Sequence, residues 1–243
     1  MRVRAVVAYD GTDYGGFQRQ TNAPTVQAAL EVALARVTQE AVTVLAAGRT
    51  DAGVHAAGQV IAFDTDWRHT LGDLQRALNA VLPADVAVSE VEAAAGDFHP
   101  RYDARSRWYR YSVYNASVRW PLSRRYSLHV AVPLDLTMMQ QAAQLLVDER
   151  DFATFGRPPK QGGVTVRRVL VAEWKGKSAW LTFDIEANAF LYRMVRSIVG
   201  TLLRVGMGRM SVEEFVTALE SCDRSLAGPT APPHGLCLME VKY

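Results

Sequence analysis

Disulfide scaffolding, metal binding and membrane insertion all need residues that this sequence lacks. Cys222 and Cys237 are its two cysteines, too few for a disulfide framework. With five scattered histidines they match no zinc spacing. Reduced thiols in a reducing compartment are the plain expectation. No run approaches the ~18 apolar residues of a membrane span. The opening MRVRAVVAYDGTDYGG reaches a Tyr-Asp-Gly turn too soon for a signal peptide. A cytoplasmic protein with no membrane association is therefore expected. Bulk charge of one sign is also missing: 27 basic and 25 acidic residues leave a net charge of +2. That excludes a polycationic tail, but not a local basic surface.

What is present is enough apolar material for a core. Hydrophobic residues make up 49 % of 243 positions, room for one large domain or two of about 100 to 150 residues. Arg2 to Tyr9 alternates as a strand and stops at Asp10-Gly11. Val26, Leu30, Ala33, Leu34 and Val37 keep helical spacing after Pro24-Thr25. Ala41 to Ala46 and Gln59 to Thr65 read as strands. Thr70 caps a helix carrying Leu71, Leu74, Leu78, Val81 and Leu82, and Asp85 to Val91 reads as a strand. The second half follows the same order. Trp108 to Asn115 is a strand, and Asp135 caps a helix. Val164 to Trp174 and Ala179 to Ala187 are strands joined by a turn at Lys175 to Ser178. Phe190 to Val205 is a long amphipathic helix, Ser211 to Glu214 is a capping box, and Leu236 to Val241 closes as a strand. Two β-α-β-β-α-β units describe a ferredoxin-like motif used twice, an α+β fold. The halves are expected at residues 1–100 and 101–243, with the boundary near Gly96 to Asp103 and a site in the cleft between them.

The stretch Ala46 to Val60, AAGRTDAGVHAAGQV, sets Arg49 and Asp51 two positions apart among glycines and small apolar residues. Such flanks hold the loop partly out of water, where a carboxylate stays ionised only beside a cation. Two readings compete. In one, Asp51 bonds its own backbone in a turn and Arg49 is solvated. In the other, an ionised Asp51 is a nucleophile or general base. Arg196 bears on the choice. On the helix after Phe190 it falls at the edge of the apolar stripe, whereas Arg193 and Arg204 fall opposite it. An arginine there either snorkels or serves as a half-buried counter-ion.

Between Arg101 and Tyr126 there are seven arginines and one acid, Asp103, with seven Tyr and Trp residues interleaved. Arginines fork onto phosphates and aromatics stack on bases. One face of the strand in this stretch, either Trp108-Arg110-Ser112-Tyr114 or Tyr109-Tyr111-Val113, must be core. The charge segregation points to a nucleic-acid surface, RNA rather than DNA, because no helix looks like a major-groove reader. Asp10 to Gln18, DGTDYGGFQ, lacks the lysine and spacing of a phosphate loop and reads as a structured turn.

The stretches YDGTDYGGFQRQ, TVQAALE, GRTDAGVHA, FHPRYDARSRWYRYSVYN, DFATFGR, ANAFLYRMVRSIVGTLL and HGLCL run in order along essentially the whole chain. In them the sequence closely resembles the tRNA pseudouridine synthase A family. The resemblance implies two ferredoxin-like halves sharing an extended, mainly antiparallel sheet, with helices on one face and a central active-site cleft. It implies a homodimer with no metal and no organic cofactor, acting on tRNA with no membrane partner. The implied reaction is uridine to pseudouridine at nucleotides 38, 39 and 40 of the anticodon stem-loop. By motif position it makes Asp51 the catalytic aspartate, Arg196 its partner, Tyr109 the ring that stacks on the target base, and Arg49 the arginine that holds the flipped nucleotide's place. Arg107, Arg110, Thr165 and Arg167 become candidate tRNA contacts. Attack on ribose, attack on the uracil ring and removal of a ribose proton are all open to Asp51. Trp108, Cys237 and the Gly162-Gly163 loop depart from the family pattern. A non-catalytic RNA-binding module and an aspartate-based nucleoside hydrolase are the competing functional classes.

Overall fold

The computed structural model describes residues 1–160 and 162–243. In chain order the elements are β1 (Arg2–Tyr9), α1 (Val26–Thr38), β2 (Leu45–Ala46), β3 (His55–Asp64), α2 (Leu71–Val81), β4 (Val86–Ala93), β5 (Ser106–Asn115), β6 (Leu128–Val130), α3 (Leu136–Gln144), β7 (Asp148–Asp151), β8 (Val166–Lys177), β9 (Trp180–Ala187), α4 (Met194–Gly206), α5 (Val212–Ser221) and β10 (Leu236–Lys242). The chain is α+β and forms two units, Met1–Arg105 with Cys237–Tyr243, and Ser106–Leu236.

In the first unit β1 lies between β4 and β3, antiparallel to both. Its odd positions, Val3, Ala5, Val7 and Tyr9, are buried. Phe63 and Ile61 sit opposite Val3 and Ala5 and are buried with them. Of the even positions, the first two carry charge. Arg2 pairs with Asp64 (2.6 Å) across β3, and Arg4 pairs with Glu92 (2.8 Å) across β4. Period-2 alternation therefore separates a core face from an ion-paired face. Helix α1 starts where Thr25 Oγ1 accepts the Ala28 N–H (3.3 Å), and α2 where Thr70 Oγ1 accepts that of Asp73 (3.1 Å).

Three features of this unit differ from the sequence expectation. The strand read over Ala41 to Ala46 shrinks to Leu45–Ala46. The Val44 N–H goes instead to Glu31 Oε1 (3.2 Å), and the Val44 carbonyl accepts from Gln27 Nε2 (3.2 Å). Side chains of α1 thus take the bonds a neighbouring strand would have taken. Strand β3 begins at His55, four residues ahead of the expected start. The C-terminal strand forms where it was read, at Leu236–Lys242, but it also pairs in parallel with β3, with Cys237 opposite His55 and Leu238 opposite Ala56.

In the second unit the order is β5-β9-β8-β7, all antiparallel, with β6 parallel to β5. Strands β6 and β7 were not anticipated. The turn between β8 and β9 is tighter than read, because Lys177 lies opposite Trp180 and Ser178 takes a φ of 57°. Tyr111, Val113, Phe183 and Ile185 are buried to within 0 % exposure and form the core face. Helix α3 packs on β8 and on α4. It is capped by Asp135, whose carboxylate accepts the Met138 N–H (3.0 Å). The Ser211–Glu214 capping box opens α5 as expected.

The helix read from Phe190 begins only at Met194. Tyr192 is held extended: its N–H donates to the Arg157 carbonyl (2.9 Å) and its own carbonyl accepts from the Arg157 N–H (3.4 Å). Arg193 then takes a φ of 61°. Apolar spacing at Phe190 and Leu191 is consistent with a helix, but this bridge excludes one.

The opposite face of the second unit's strands centres on Asp184, 3 % exposed. Arg110 donates to it through Nε (2.8 Å) and Nη2 (3.0 Å), and Trp108 through Nε1 (3.1 Å). The Arg110 guanidinium also lies over the Trp108 ring at 5.1 Å. Removing the carboxylate strands a half-buried guanidinium and an indole N–H. Asp184→Ala is therefore expected to lower the unfolding free energy by about 3 kcal/mol, read by urea denaturation. A loss below about 0.5 kcal/mol, the size of an exposed pair, would contradict the network.

Candidate active site

The Gly48–His55 loop joins β2 to β3 in the first unit and is held along its length. The carbonyl of Gly48 accepts from Nε2 of the fully buried Gln59 (3.0 Å). Thr50, 7 % exposed, shares a hydroxyl–hydroxyl bond with Tyr9 (2.8 Å), and its carbonyl accepts the Phe17 N–H (3.1 Å). The Asp51 carbonyl accepts the Val54 N–H (3.1 Å), closing a turn, and Gly53 donates to the Tyr14 carbonyl (3.3 Å). His55, at the start of β3, accepts the Gly11 N–H on Nδ1 (3.0 Å), with Asp10 Oδ1 3.1 Å from the same atom. Asp51 itself is half-buried and Arg49 is exposed.

The Asp10–Phe17 turn is therefore the inner wall of this loop, a contact the sequence reading did not make. Its glycines are required by close approach. A Cβ on Gly11 would lie 2.0 Å from the Val54 carbonyl oxygen. One on Gly16, whose φ is 108°, would lie 2.7 Å from that of Thr50. The signal in the sequence was the glycine cluster beside Asp10, at a turn with no phosphate-loop lysine to explain it.

The second unit holds the other candidates. Tyr109 is on the core face of β5, 9 % exposed, with Phe190 edge-on to it at 5.1 Å and 86°. Tyr111, two residues on, is fully buried and donates its hydroxyl to the Pro232 carbonyl (2.9 Å). Burial pushes its phenol well above the ordinary range, and the Arg196 charge pulls it partly back. Arg196 thus belongs to the Tyr111 neighbourhood. It is half-buried and gripped twice by Ala231: its Nε donates to the Ala231 carbonyl (2.7 Å) and its own carbonyl accepts the Ala231 N–H (2.9 Å). An arginine at the stripe edge is here a fixed one.

The remaining candidates lie elsewhere in this unit. Arg107 donates through Nη1 to the Asn188 carbonyl (2.8 Å). Arg110 is committed to Asp184, a partner that sequence reasoning missed. Arg167 folds back on its own strand, with Nη1 on the carbonyls of Val164 (3.0 Å) and Val166 (2.6 Å), and burial lowers its pKa. Thr165 is half-buried and its carbonyl accepts the Phe152 N–H (3.2 Å). The basic, aromatic stretch divides in two. Tyr109 and Tyr111 are core, whereas Trp120 and Tyr126 are 51 % and 53 % exposed beside exposed Arg119, Arg124 and Arg125. No cluster of His, Cys, Asp or Glu among the described residues is placed to hold a metal. No helix among them is long and apolar enough to cross a membrane.

The family model described as tRNA pseudouridine synthase matches residues 5–103 and 142–243. The chain is 48 % identical over 246 residues to tRNA pseudouridine synthase A of Chloroflexus aurantiacus, covering 99 % of this chain and 88 % of that protein. It is 46 % identical to the protein of that name from Brevibacillus brevis, over 100 % of this chain and 99 % of the relative. The corresponding protein of Moorella thermoacetica is 45 % identical, with 99 % of each chain covered.

The raised Tyr111 phenol has a consequence for stability. The folded chain holds that proton more tightly than the unfolded chain, in which the phenol titrates near pH ~10. The contribution is complete below that pH and is lost as pH rises above it. Tyr14, raised by burial and by its bond to Asp85 (2.7 Å), acts in the same direction. Tyr111→Phe should flatten the alkaline fall in stability while costing about 1 kcal/mol at neutral pH. Urea unfolding between about pH 8 and 11 checks this, and an unchanged alkaline slope contradicts it.

Proposed function

This chain belongs to the tRNA pseudouridine synthase family, and we propose that it isomerises uridine to pseudouridine at nucleotides 38, 39 and 40 of the tRNA anticodon stem-loop. The observation that carries the proposal is the match through both units, including the whole GRTDAGVHA loop, to relatives named for this activity. In the first unit, the element order β-α-β-β-α-β and strand order β4-β1-β3-β2 support the ferredoxin-like reading. So does the order β5-β9-β8 in the second. The homodimer rests on the family resemblance, and the cytoplasmic setting on the composition of the sequence.

The reaction breaks the bond from ribose C1′ to uracil N1 and forms one from C1′ to C5. The C5 hydrogen leaves as a proton and N1 regains one, so the overall change is neither redox nor hydrolysis. The target base must leave its stack, at a cost of a few kcal/mol. Asp51 is the catalytic carboxylate of this proposal and Arg196 the cation that keeps it charged. Tyr109 is the platform for the extruded base, and Arg49 takes the place the nucleotide vacates. The fixed Nε of Arg196 and the half-buried setting of Asp51 support these roles. Arg107, Arg167 and Thr165 remain proposed tRNA contacts. Arg110 is the weakest of these proposed contacts, since its Nε and Nη2 already serve Asp184.

Asp51→Asn is expected to lower pseudouridine formation by about 10³-fold or more, while tRNA binding at the same salt changes less than threefold, about 0.6 kcal/mol. Equal loss of both would assign Asp51 to holding the loop rather than to chemistry. Uracil as the main product would favour a hydrolase. Tyr109→Ala should cost about 10- to 100-fold in activity and Tyr109→Phe much less. Equal losses would move the role from the ring to the hydroxyl.

A further inference from the structure

We infer that Tyr9 and His55 are positioning residues that fix Asp51 from its two sides. The inference rests on the reading of Asp51 as the catalytic carboxylate, and neither residue was among the candidates carried over from the family.

On the N-terminal side, Tyr9 is 4 % exposed and Thr50 7 %. The two hydroxyls are buried together, where a polar group needs a partner, and their oxygens are 2.8 Å apart. A Phe and a Val of the same shape would be nearly neutral for stability, because folding only exchanges such a bond for bonds to water. The bond's effect therefore lies in where it places Thr50, whose carbonyl is held by the Phe17 N–H at 3.1 Å. The Thr50–Asp51 peptide is thus pinned by side chain and backbone together.

On the C-terminal side, His55 is 5 % exposed. Its Nδ1 takes the Gly11 N–H (3.0 Å), and Gly11 in turn rests on the Val54 carbonyl. The Asp51 turn, closed by the Val54 N–H, sits on that contact. Four residues from Thr50 to Gly53 span the two anchors, so an error at either is passed directly to the carboxylate. A displacement of about 1 Å at a reacting group costs up to about 10²-fold in rate.

The test compares Tyr9→Phe, Thr50→Val, their double variant, His55→Ala and His55→Asn in the full chain. It measures kcat and KM on tRNA together with thermal melting, with Asp51→Asn alongside. Tyr9→Phe is expected to lower kcat about 10-fold, with KM within twofold and melting lowered by the few degrees that a stranded buried hydroxyl costs, whereas the double variant melts near wild type. The double variant should fall no further than the worse single, because both remove one bond. His55→Ala should lose kcat, and His55→Asn should recover most of it, since the Asn carbonyl can accept the Gly11 N–H. If Tyr9→Phe fails to fold, Thr50→Ser must retain kcat where Thr50→Val loses it. Wild-type kcat in Tyr9→Phe and His55→Ala beside an inactive Asp51→Asn overturns the inference and leaves the catalytic reading standing. So does additivity in the double variant, or loss confined to KM. An active Asp51→Asn overturns both.

Discussion

The contact between two loop backbones, Gly11 against the carbonyl of Val54, is the constraint on which the first unit's site depends. With 2.0 Å between a notional Gly11 Cβ and that oxygen, no side chain is tolerated there. The gain is that the Asp10–Phe17 turn serves as a rigid floor for the loop carrying Asp51. Tyr9, Thr50, Gln59 and His55 then act through short bonds at buried positions, where each polar group has few alternatives to its native partner. Precision comes from the ends of β1 and β3, elements at the centre of the sheet, rather than from the loop's own sequence.

In the second unit arginines do two jobs that composition alone does not separate. Arg196 is fixed by Ala231 and exerts its charge on the Tyr111 neighbourhood. Arg110 neutralises Asp184, a carboxylate only 3 % exposed on β9. Trp108 serves the same carboxylate, since its indole N–H and the guanidinium over its ring both converge there. The exposed arginines and aromatics at Arg119 to Tyr126 lie outside the residues matched by the family model.

Much of this was legible in the sequence where local rules govern. The caps at Thr25, Thr70, Asp135 and Ser211 and the alternation of β1 and β5 rest on spacing, and spacing is what a sequence displays. The failures share one cause, namely bonds made by residues far apart in the chain. Glu31 and Gln27 take the backbone groups of Val44. Arg157 holds Tyr192 extended ahead of α4, and β10 finds β3 across some 180 positions. None of these leaves a periodic trace. Asp51, Tyr109 and Arg196 are proposed through motif resemblance, which spacing alone does not supply. Tyr9 and His55 stood inside the same motifs, but their bonds become visible only when β1 and β3 lie side by side. Of the two acids in LTFDIEA, Asp184 stands between Phe183 and Ile185, and that placement was the available sign of its network.

Native-state hydrogen exchange tests the central claim most directly, because the lock consists of amide hydrogen bonds. The amides of Gly11, Phe17, Gly53 and Val54 should exchange together, through one opening, with protection approaching that of β3. Independent exchange of these four at the rates of exposed loops, while β3 stays protected, would contradict the account.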